Sequence, residues 1–406
     1  MSGSLLERRR FLEGLGAAGF ACAMSSAFSP QAHGSIVHEV ASGAQIAATV
    51  PKDRIKFGVC GISHDHVIGM TNAIKRGGGT LTKVWGAEPD KVAAFQKRFP
   101  EATVVKTQQE VIDDPSIQLV LSSQIANERA PLGIRVMKAG KDYLSDKPGI
   151  TTLEQLADVR KTIAETHKIY GILYSERLEV PAAVKAGELI QQGAIGHVIQ
   201  TINIAPHQIV QGAGSTAGST GPNGGRPDWF WNDVQYGGIL CDIGSHQVDQ
   251  FLFYTGSKKA EIVASQVANV RHPQHPHFQD FGDMMLRGEN GFGYVRLDWF
   301  TPNGLGTWGD GRLFILGTDG YIEVRKYTNV AVDKKGNNLY IVAKDQAPRY
   351  IDCNNVPLPF GPQFVDDVLH RTHTAQDQVE TLLAAELSIK AQMKATRAHL
   401  DWESKG

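Results

Sequence analysis

Between Ile55 and Tyr174 short apolar runs alternate with helical stretches, and few architectures can absorb that alternation. Ile55-Lys56-Phe57-Gly58-Val59-Cys60-Gly61-Ile62 reads as a buried strand ending in glycine. A helix follows over Val67 to Lys75, then a strand over Leu81 to Ala87 and a helix over Pro89 to Arg98 that opens with proline in its first turn. Gln118 to Ser122, Tyr143-Leu144 and Ile169 to Tyr174 are further strands, separated by helices over about 130–138 and over Leu153 to Thr166. Strands joined by helices pair in parallel and need both faces covered. The series therefore predicts an α/β fold, with a doubly wound parallel sheet over 54–175 and ligands beyond the carboxyl ends of its strands.

The pattern changes after Tyr174. A helix over Pro181 to Gln192, a strand over Val198 to Ile204 and a Gly/Ser-rich loop over Gln211 to Arg226 lead into a helix over Asp242 to Tyr254. Strands then arrive without helices between them, at Ala260–Val270, Phe281–Arg287, Gly291–Trp299, Arg312–Gly317 and Gly320–Arg325. That succession predicts a second, α+β domain over 176–406 with a largely antiparallel open sheet and a returning helix over Ala375 to Leu400. A chain of 406 residues is long enough for two such cores without disulfide staples. With 41 Lys+Arg against 42 Asp+Glu there is no basic stripe for nucleic acid or for a membrane surface.

The first residues have a different character. Arg8-Arg9-Arg10-Phe11-Leu12, then a weakly apolar Gly/Ala-rich run from Leu15 to Met24, resembles a twin-arginine export signal over 1–33. Residues 34–53 read as a polar linker. The expected destination is the periplasm or another exported location, reached through the twin-arginine machinery. Cys60, Cys241 and Cys353 remain after the signal, without CxxC spacing, and read as small packed residues.

Three stretches carry chemistry. The turn after the first strand has Gly61, Ser63 and His66 where a dinucleotide fingerprint would have three glycines, so only the tight-turn glycine is present. Glu88, just past the second strand, is placed to accept hydrogen bonds from a ribose diol, or is an exposed carboxylate at a helix start. His64 and His66 can converge on a metal, but a metal needs three or four ligands and the sequence names no third, so no metal is assigned and the loop is read as lining a phosphate or substrate crevice. At the end of a parallel strand, Asp146-Lys147-Pro148 puts an ammonium at the crevice mouth. Finally, Gly237-Gly238-Ile239-Leu240-Cys241-Asp242-Ile243-Gly244-Ser245-His246 places an acid and an imidazole four apart on one helical face, after tandem glycines that permit a tight turn.

Together these stretches resemble the glucose-fructose oxidoreductase and inositol dehydrogenase family, often written Gfo/Idh/MocA. Ala139-Gly140-Lys141 to Lys147-Pro148 is similar to that family's AGKHVxxEKP, Gly237 to Asp249 to its GGGxLxDxGxHxxD, and Gly187 to Gly196 to its ELIxxGAIG segment. The resemblance implies a Rossmann domain, an open-sheet substrate domain, a tightly bound NAD or NADP, a carbohydrate or cyclitol substrate and a homo-oligomer. It also implies that Lys147 meets substrate and nicotinamide, that Asp242 binds substrate and that His246 is the acid-base group, with Gly61, Ser63, His64, His66, Glu88 and Asp146 on the cofactor side. Ser63, His66, Asp146 and the turn from Ser123 to Arg129 depart from the family pattern. The leading expectation is an exported oxidoreductase acting on a secondary alcohol. The rivals are a glycosidase using transient sugar oxidation, a metal-dependent hydrolase and a non-catalytic sugar-binding protein.

Overall fold

The computed structural model describes residues 36–41, 50–209, 226–332 and 335–400. The export signal expected over 1–33 and nearly all of the Gly/Ser-rich loop lie outside the described residues. The first described element is a short strand, β1 (Val37–Val40). Six strands then form the first sheet: β2 (Ile55–Cys60), β3 (Gly79–Trp85), β4 (Thr103–Val104), β5 (Leu119–Ser122), β6 (Asp142–Asp146) and β7 (Tyr170–Leu173). All are parallel, in the spatial order β4-β3-β2-β5-β6-β7. Every residue of β5, β6 and β7 is buried, as helices on both faces require. The chain moves outward from β2 through β3 and β4, then returns to lay β5 on the other side of β2. A crevice consequently opens at the carboxyl ends of β2 and β5.

The second sheet has ten strands. In chain order after β1 they are β8 (Val198–Pro206), β9 (Ala260–Ala268), β10 (Phe281–Gly288), β11 (Phe292–Asp298), β12 (Arg312–Gly317), β13 (Gly320–Arg325), β14 (Asn338–Ala343), β15 (Arg349–Asp352) and β16 (Thr396–Arg397). Their spatial order is β1-β15-β14-β13-β12-β8-β11-β10-β9-β16, antiparallel except where β1 meets β15, β8 meets β11 and β9 meets β16. One face carries the Pro181–Gln191, Gly244–Thr255 and Gln378–Lys394 helices. Along the other, register aligns Met285, Tyr294, Ile202, Phe314, Glu323 and Tyr340 across successive strands. The α/β class with a second, mostly antiparallel sheet is the architecture expected from the sequence.

Several details differ from the sequence reading. Within the span read as a linker over 34–53, β1 forms an edge strand, held by Val37 N–H donating to Pro348 O at 2.9 Å and Ala41 N–H to Asp352 O at 2.9 Å. Its side chains are mostly exposed, so burial gave no apolar signal to read. The helix expected over Asp242 to Tyr254 is two, Ile239–Asp242 and Gly244–Thr255, and Asp242 ends the first. The terminal helix covers Gln378–Lys394 and gives way to β16. Strands β14 and β15 and the Phe360–His370 helix were not anticipated.

A buried ionic cluster joins the end of the first sheet to the second. Glu176 lies in the short Ser175–Leu178 helix just past β7, Lys326 follows β13, and their exposures are 3% and 2%. Lys326 Nζ donates to Glu176 Oε2 at 2.6 Å and to Gln250 Oε1 at 2.8 Å, while Gln247 Nε2 donates to the same Glu176 oxygen at 2.9 Å. Removing one member strands a dry charge, so Lys326→Met should lower unfolding free energy by about 3–5 kcal/mol. In a denaturant titration the double variant with Glu176→Gln should recover most of that loss; an unchanged midpoint for Lys326→Met alone would contradict this account.

Candidate active site

The crevice at the end of β2 is shaped first by backbone. Gly61 has φ of 95°, and a Cβ there would come within 2.4 Å of Gln124 Cβ. Only glycine fits that turn. The turn is stitched to its neighbours by Gly61 N–H to Trp85 O at 2.8 Å, Ser123 N–H to Gly61 O at 3.0 Å and His64 N–H to Ser123 O at 2.8 Å. The His66–Arg76 helix then begins at the crevice.

The buried carboxylate of Asp146, at the end of β6, gathers this region. It accepts from His64 Nδ1 at 2.6 Å, His66 Nδ1 at 2.9 Å and Ser123 Oγ at 3.2 Å, and Arg129 lies 3.1 Å away. Burial alone would raise the Asp146 pKa, but Arg129 and the two imidazoles hold it well below the usual carboxylate range. Arg129 is itself 1% exposed and also donates to Gln124 O at 2.7 Å and to the carbonyl of Lys147. Neither Ser123 nor Arg129 was singled out in the sequence beyond the altered turn they belong to.

Lys147 follows Asp146, in a peptide that is cis to Pro148. Its Nζ donates to Asp242 Oδ1 at 2.7 Å across the boundary between the two sheets. Asp242 reaches that place because the chain turns sharply at Gly237 and Gly238. Gly238 has φ of 83°, and a Cβ on it would fall 2.2 Å from Gln392. His246 is buried beside them, with Nδ1 lacking a hydrogen-bond partner among the described residues. Burial is the main reason its pKa lies well below the ordinary imidazole value; Glu176 opposes that shift and Lys147 adds to it. A neutral imidazole is thereby available as a proton acceptor. Asp249, three residues on, takes no part, since both its oxygens are held by Arg177 at 2.6 and 2.9 Å.

Ser63, His64, His66, Asp146, Lys147, Asp242 and His246 all line one cavity of about 490 Å³. Its far wall holds residues that sequence reasoning missed: Glu176, His207, Arg226, Trp299, Trp308 and Tyr327. Only Glu176 had a readable signal, because it stands just past the carboxyl end of a parallel strand. Trp229 and Phe230 also line the cavity, whereas Trp231 stacks on His275 at 4.0 Å. Arg226 lies over Phe230 at 4.8 Å and Trp299 at 4.6 Å.

Glu88 is not part of this cavity's lining. It holds the N-cap position of the Pro89–Arg98 helix just past β3 without a side-chain capping bond, and its Oε2 is buried with no partner among the described residues. An orphaned carboxylate oxygen at that strand end suits a ribose diol, which would bring two hydroxyl donors. The Gly61 turn, the Glu88 oxygen and Lys147 at the neighbouring strand end are therefore compatible with a nicotinamide dinucleotide lying across the crevice.

A doubly wound sheet that places Lys147 just past β6 and leaves an orphaned acid past β3, beside an open-sheet half that brings Asp242 and His246 to the same cavity, is the arrangement of a two-part dinucleotide-binding protein. Residues 55–174 match the oxidoreductase family with NAD-binding Rossmann fold, and residues 183–323 match the GFO/IDH/MocA C-terminal domain. The chain belongs to the GFO/IDH/MocA oxidoreductase family. A solved structure from Erwinia carotovora atroseptica SCRI1043, labelled only as an oxidoreductase, is similar with 42% identity and a TM-score of 0.79, over 85% of this chain and 100% of that one. Inositol 2-dehydrogenase 2 of Saccharopolyspora erythraea is 23% identical over 72% of this chain and 79% of its own. D-xylose dehydrogenase of Paenarthrobacter nicotinovorans is 23% identical, and the match spans 34% of this chain and only 33% of that enzyme. A levoglucosan dehydrogenase in complex with NADH shares the fold, with a TM-score of 0.66 at 16% identity over 84% of this chain and 97% of its own.

Two cavity histidines, the buried His246 and the half-buried His207, give a signed pH dependence. His207 is pushed down to about 4 from 6.5, chiefly by burial, and His246 moves in the same direction. Their folded-state values lie below the unfolded one, so the unfolded chain binds more protons in between. Stability should be fully present above pH about 6.5 and fall as the pH drops toward 4, by at most about 1.4 kcal/mol per pH unit for each histidine. Urea unfolding at a series of pH values checks this: His207→Gln should flatten the slope, and an equal slope in that variant would count against the assignment.

Proposed function

We propose that the chain is an exported oxidoreductase that oxidises a secondary alcohol of a sugar or cyclitol with a tightly held NAD, NADP being the alternative. The observation that carries this reading is the convergence of Lys147, Asp242 and His246 on one cavity at the crevice of the first sheet. The sugar and cyclitol dehydrogenases among its relatives support the substrate class. Export through the twin-arginine route rests on Arg8-Arg9 and the apolar run after them. That route carries folded proteins. Free nicotinamide is scarce outside the cytoplasm, so a cofactor loaded inside has to stay bound and be regenerated in place. A homo-oligomer is proposed through the open sheet face, where Met285 is 51% exposed in a row with Tyr294 and Phe314.

Bound NAD supplies the carbon that accepts a hydride from the alcohol. The residues of the chain do the rest. His246, held neutral, takes the hydroxyl proton. Lys147 Nζ donates to the reacting oxygen and stabilises the negative charge that builds there as the proton leaves. Asp242, its Oδ1 already occupied by Lys147, offers its other oxygen to a neighbouring hydroxyl and so fixes which carbon is presented. The aromatic wall of Trp229, Trp299, Trp308 and Tyr327 excludes water and can stack on a sugar ring.

That wall also favours a second reading. The cavity it lines, about 490 Å³, has room for a substituent on the sugar, as a glycosidase using transient oxidation would need. Release of an aglycone from glycosides, with no second sugar present and no net change in cofactor absorbance, would select this reading over the first.

Two measurements test the proposal. Protein recovered from the periplasmic fraction and denatured should release about one NAD(H) per chain, and before denaturation light scattering should give a multiple of the chain mass. Release of no nucleotide would overturn it. In turnover of a sugar panel, Lys147→Ala and His246→Ala should each lower kcat by about 10²–10⁴. Asp242→Asn should act more strongly on KM. Full turnover in His246→Ala would remove it as the base.

A further inference from the structure

The sequence brings two histidines close together but offers no third ligand. The fold supplies one. Asp146 comes from β6, some eighty positions along the chain, and its two oxygens face His64 Nδ1 at 2.6 Å and His66 Nδ1 at 2.9 Å. The imidazole rings lie 4.1 Å apart, tilted by 49°. Ligand atoms from the three residues all fall within 4.8 Å of one another. We propose that His64, His66 and Asp146 form a binding site for a divalent first-row transition ion at the edge of the active-site cavity.

The donor set is two imidazoles and one carboxylate, which suits zinc, cobalt, manganese or ferrous iron better than calcium or magnesium. Bonds of about 2.0–2.2 Å in near-tetrahedral geometry separate ligand atoms by roughly 3.3 Å. The imidazoles need to draw back from the carboxylate by less than about 1 Å to admit the ion. Each ring ligates through the Nδ1 that faces Asp146 in the tautomer that carries its proton on Nε2.

The surroundings of Asp146 are those of a supported ligand. Arg129 and Ser123 engage Oδ2, at 3.1 and 3.2 Å, the oxygen that also faces His64, while Oδ1 faces His66 alone and is the freer of the two to ligate. Ligating carboxylates are characteristically oriented by such outer hydrogen bonds. The side chains of His64 and His66 are 20% and 40% exposed, and both line the cavity. An ion there keeps positions open for water or a ligand oxygen, as in sites that act on substrates rather than hold a fold together.

The site is independent of the nicotinamide reading, and its test uses the metal alone. The full chain is treated with chelator, dialysed, and titrated with Co²⁺ and Zn²⁺ by calorimetry, with the visible Co²⁺ spectrum recorded in parallel. One ion per chain is expected, with a low-symmetry d–d spectrum and binding weakened by at least about 100-fold in His66→Ala and Asp146→Asn. Should Asp146→Asn not fold, His66→Gln carries the test, since His66 is the most exposed of the three. Nucleotide content is measured on the same samples, so loss of metal and loss of cofactor are read separately. Absence of saturable binding, or binding of equal strength in the His66 variants, overturns the proposal.

Discussion

The ion pair between Lys147 and Asp242 is the contact on which the geometry of the site depends. The lysine stands just past the last strand position of the parallel sheet, the aspartate ends a short helix on the second sheet, and their side chains are 5% and 11% exposed. So dry a pair adds little net stability, because desolvation offsets most of the attraction. It does set position. Lys147 cannot shift without leaving Asp242, and its own carbonyl is gripped by Arg129. Arg129 meets Asp146, which takes His64 and His66. One connected polar network therefore runs from the second domain's short helix to the turn after β2, through the place where the sheet reverses its strand order.

The depressed basicity of the histidines follows from the same enclosure. His246 and His207 face Glu176, which attracts a proton to them, yet burial dominates for both. Glu176 cannot compensate further because Lys326 already holds it, keeping its carboxyl down at about 2. The Glu176–Lys326 pair thus supports the wall opposite Lys147 while leaving the imidazoles neutral.

Five of the six strands of the parallel sheet were legible because each carries a short apolar run between helical stretches, while the two-residue β4 was too short to read, and the motifs around Lys147 and His246 were legible because their spacing is local. What escaped had a different physical origin. β1, β14 and β15 are an edge strand and its neighbours in an open sheet, where β1 exposes most of its side chains and carries no strong apolar period. Glu176, His207 and Lys326 come from three distant parts of the chain and meet only through packing. The break at Ile243 is invisible in periodicity because that residue keeps helical angles, φ of -74° and ψ of -43°.

The positions that depart from the family pattern turn out to be neighbours. Asp146, His66 and the turn containing Ser123 and Arg129 contact one another directly, and Ser63 offers its carbonyl to Lys91 Nζ at 2.6 Å. Read singly, each replacement weakens a glycine turn. Read as a set, they exchange close backbone approach for side chains: a hydroxyl and an imidazole enter where glycines would leave space, and a carboxylate anchors the imidazole. Lys91 and Arg98, both from the Pro89–Arg98 helix, line the same cavity and provide cationic groups on that side. An anionic ligand entering the crevice would therefore find its counter-charges on side chains and, where an ion is held by His64, His66 and Asp146, on that ion as well. The turn has kept the one glycine its backbone needs, Gly61, and given its other two positions to chemistry.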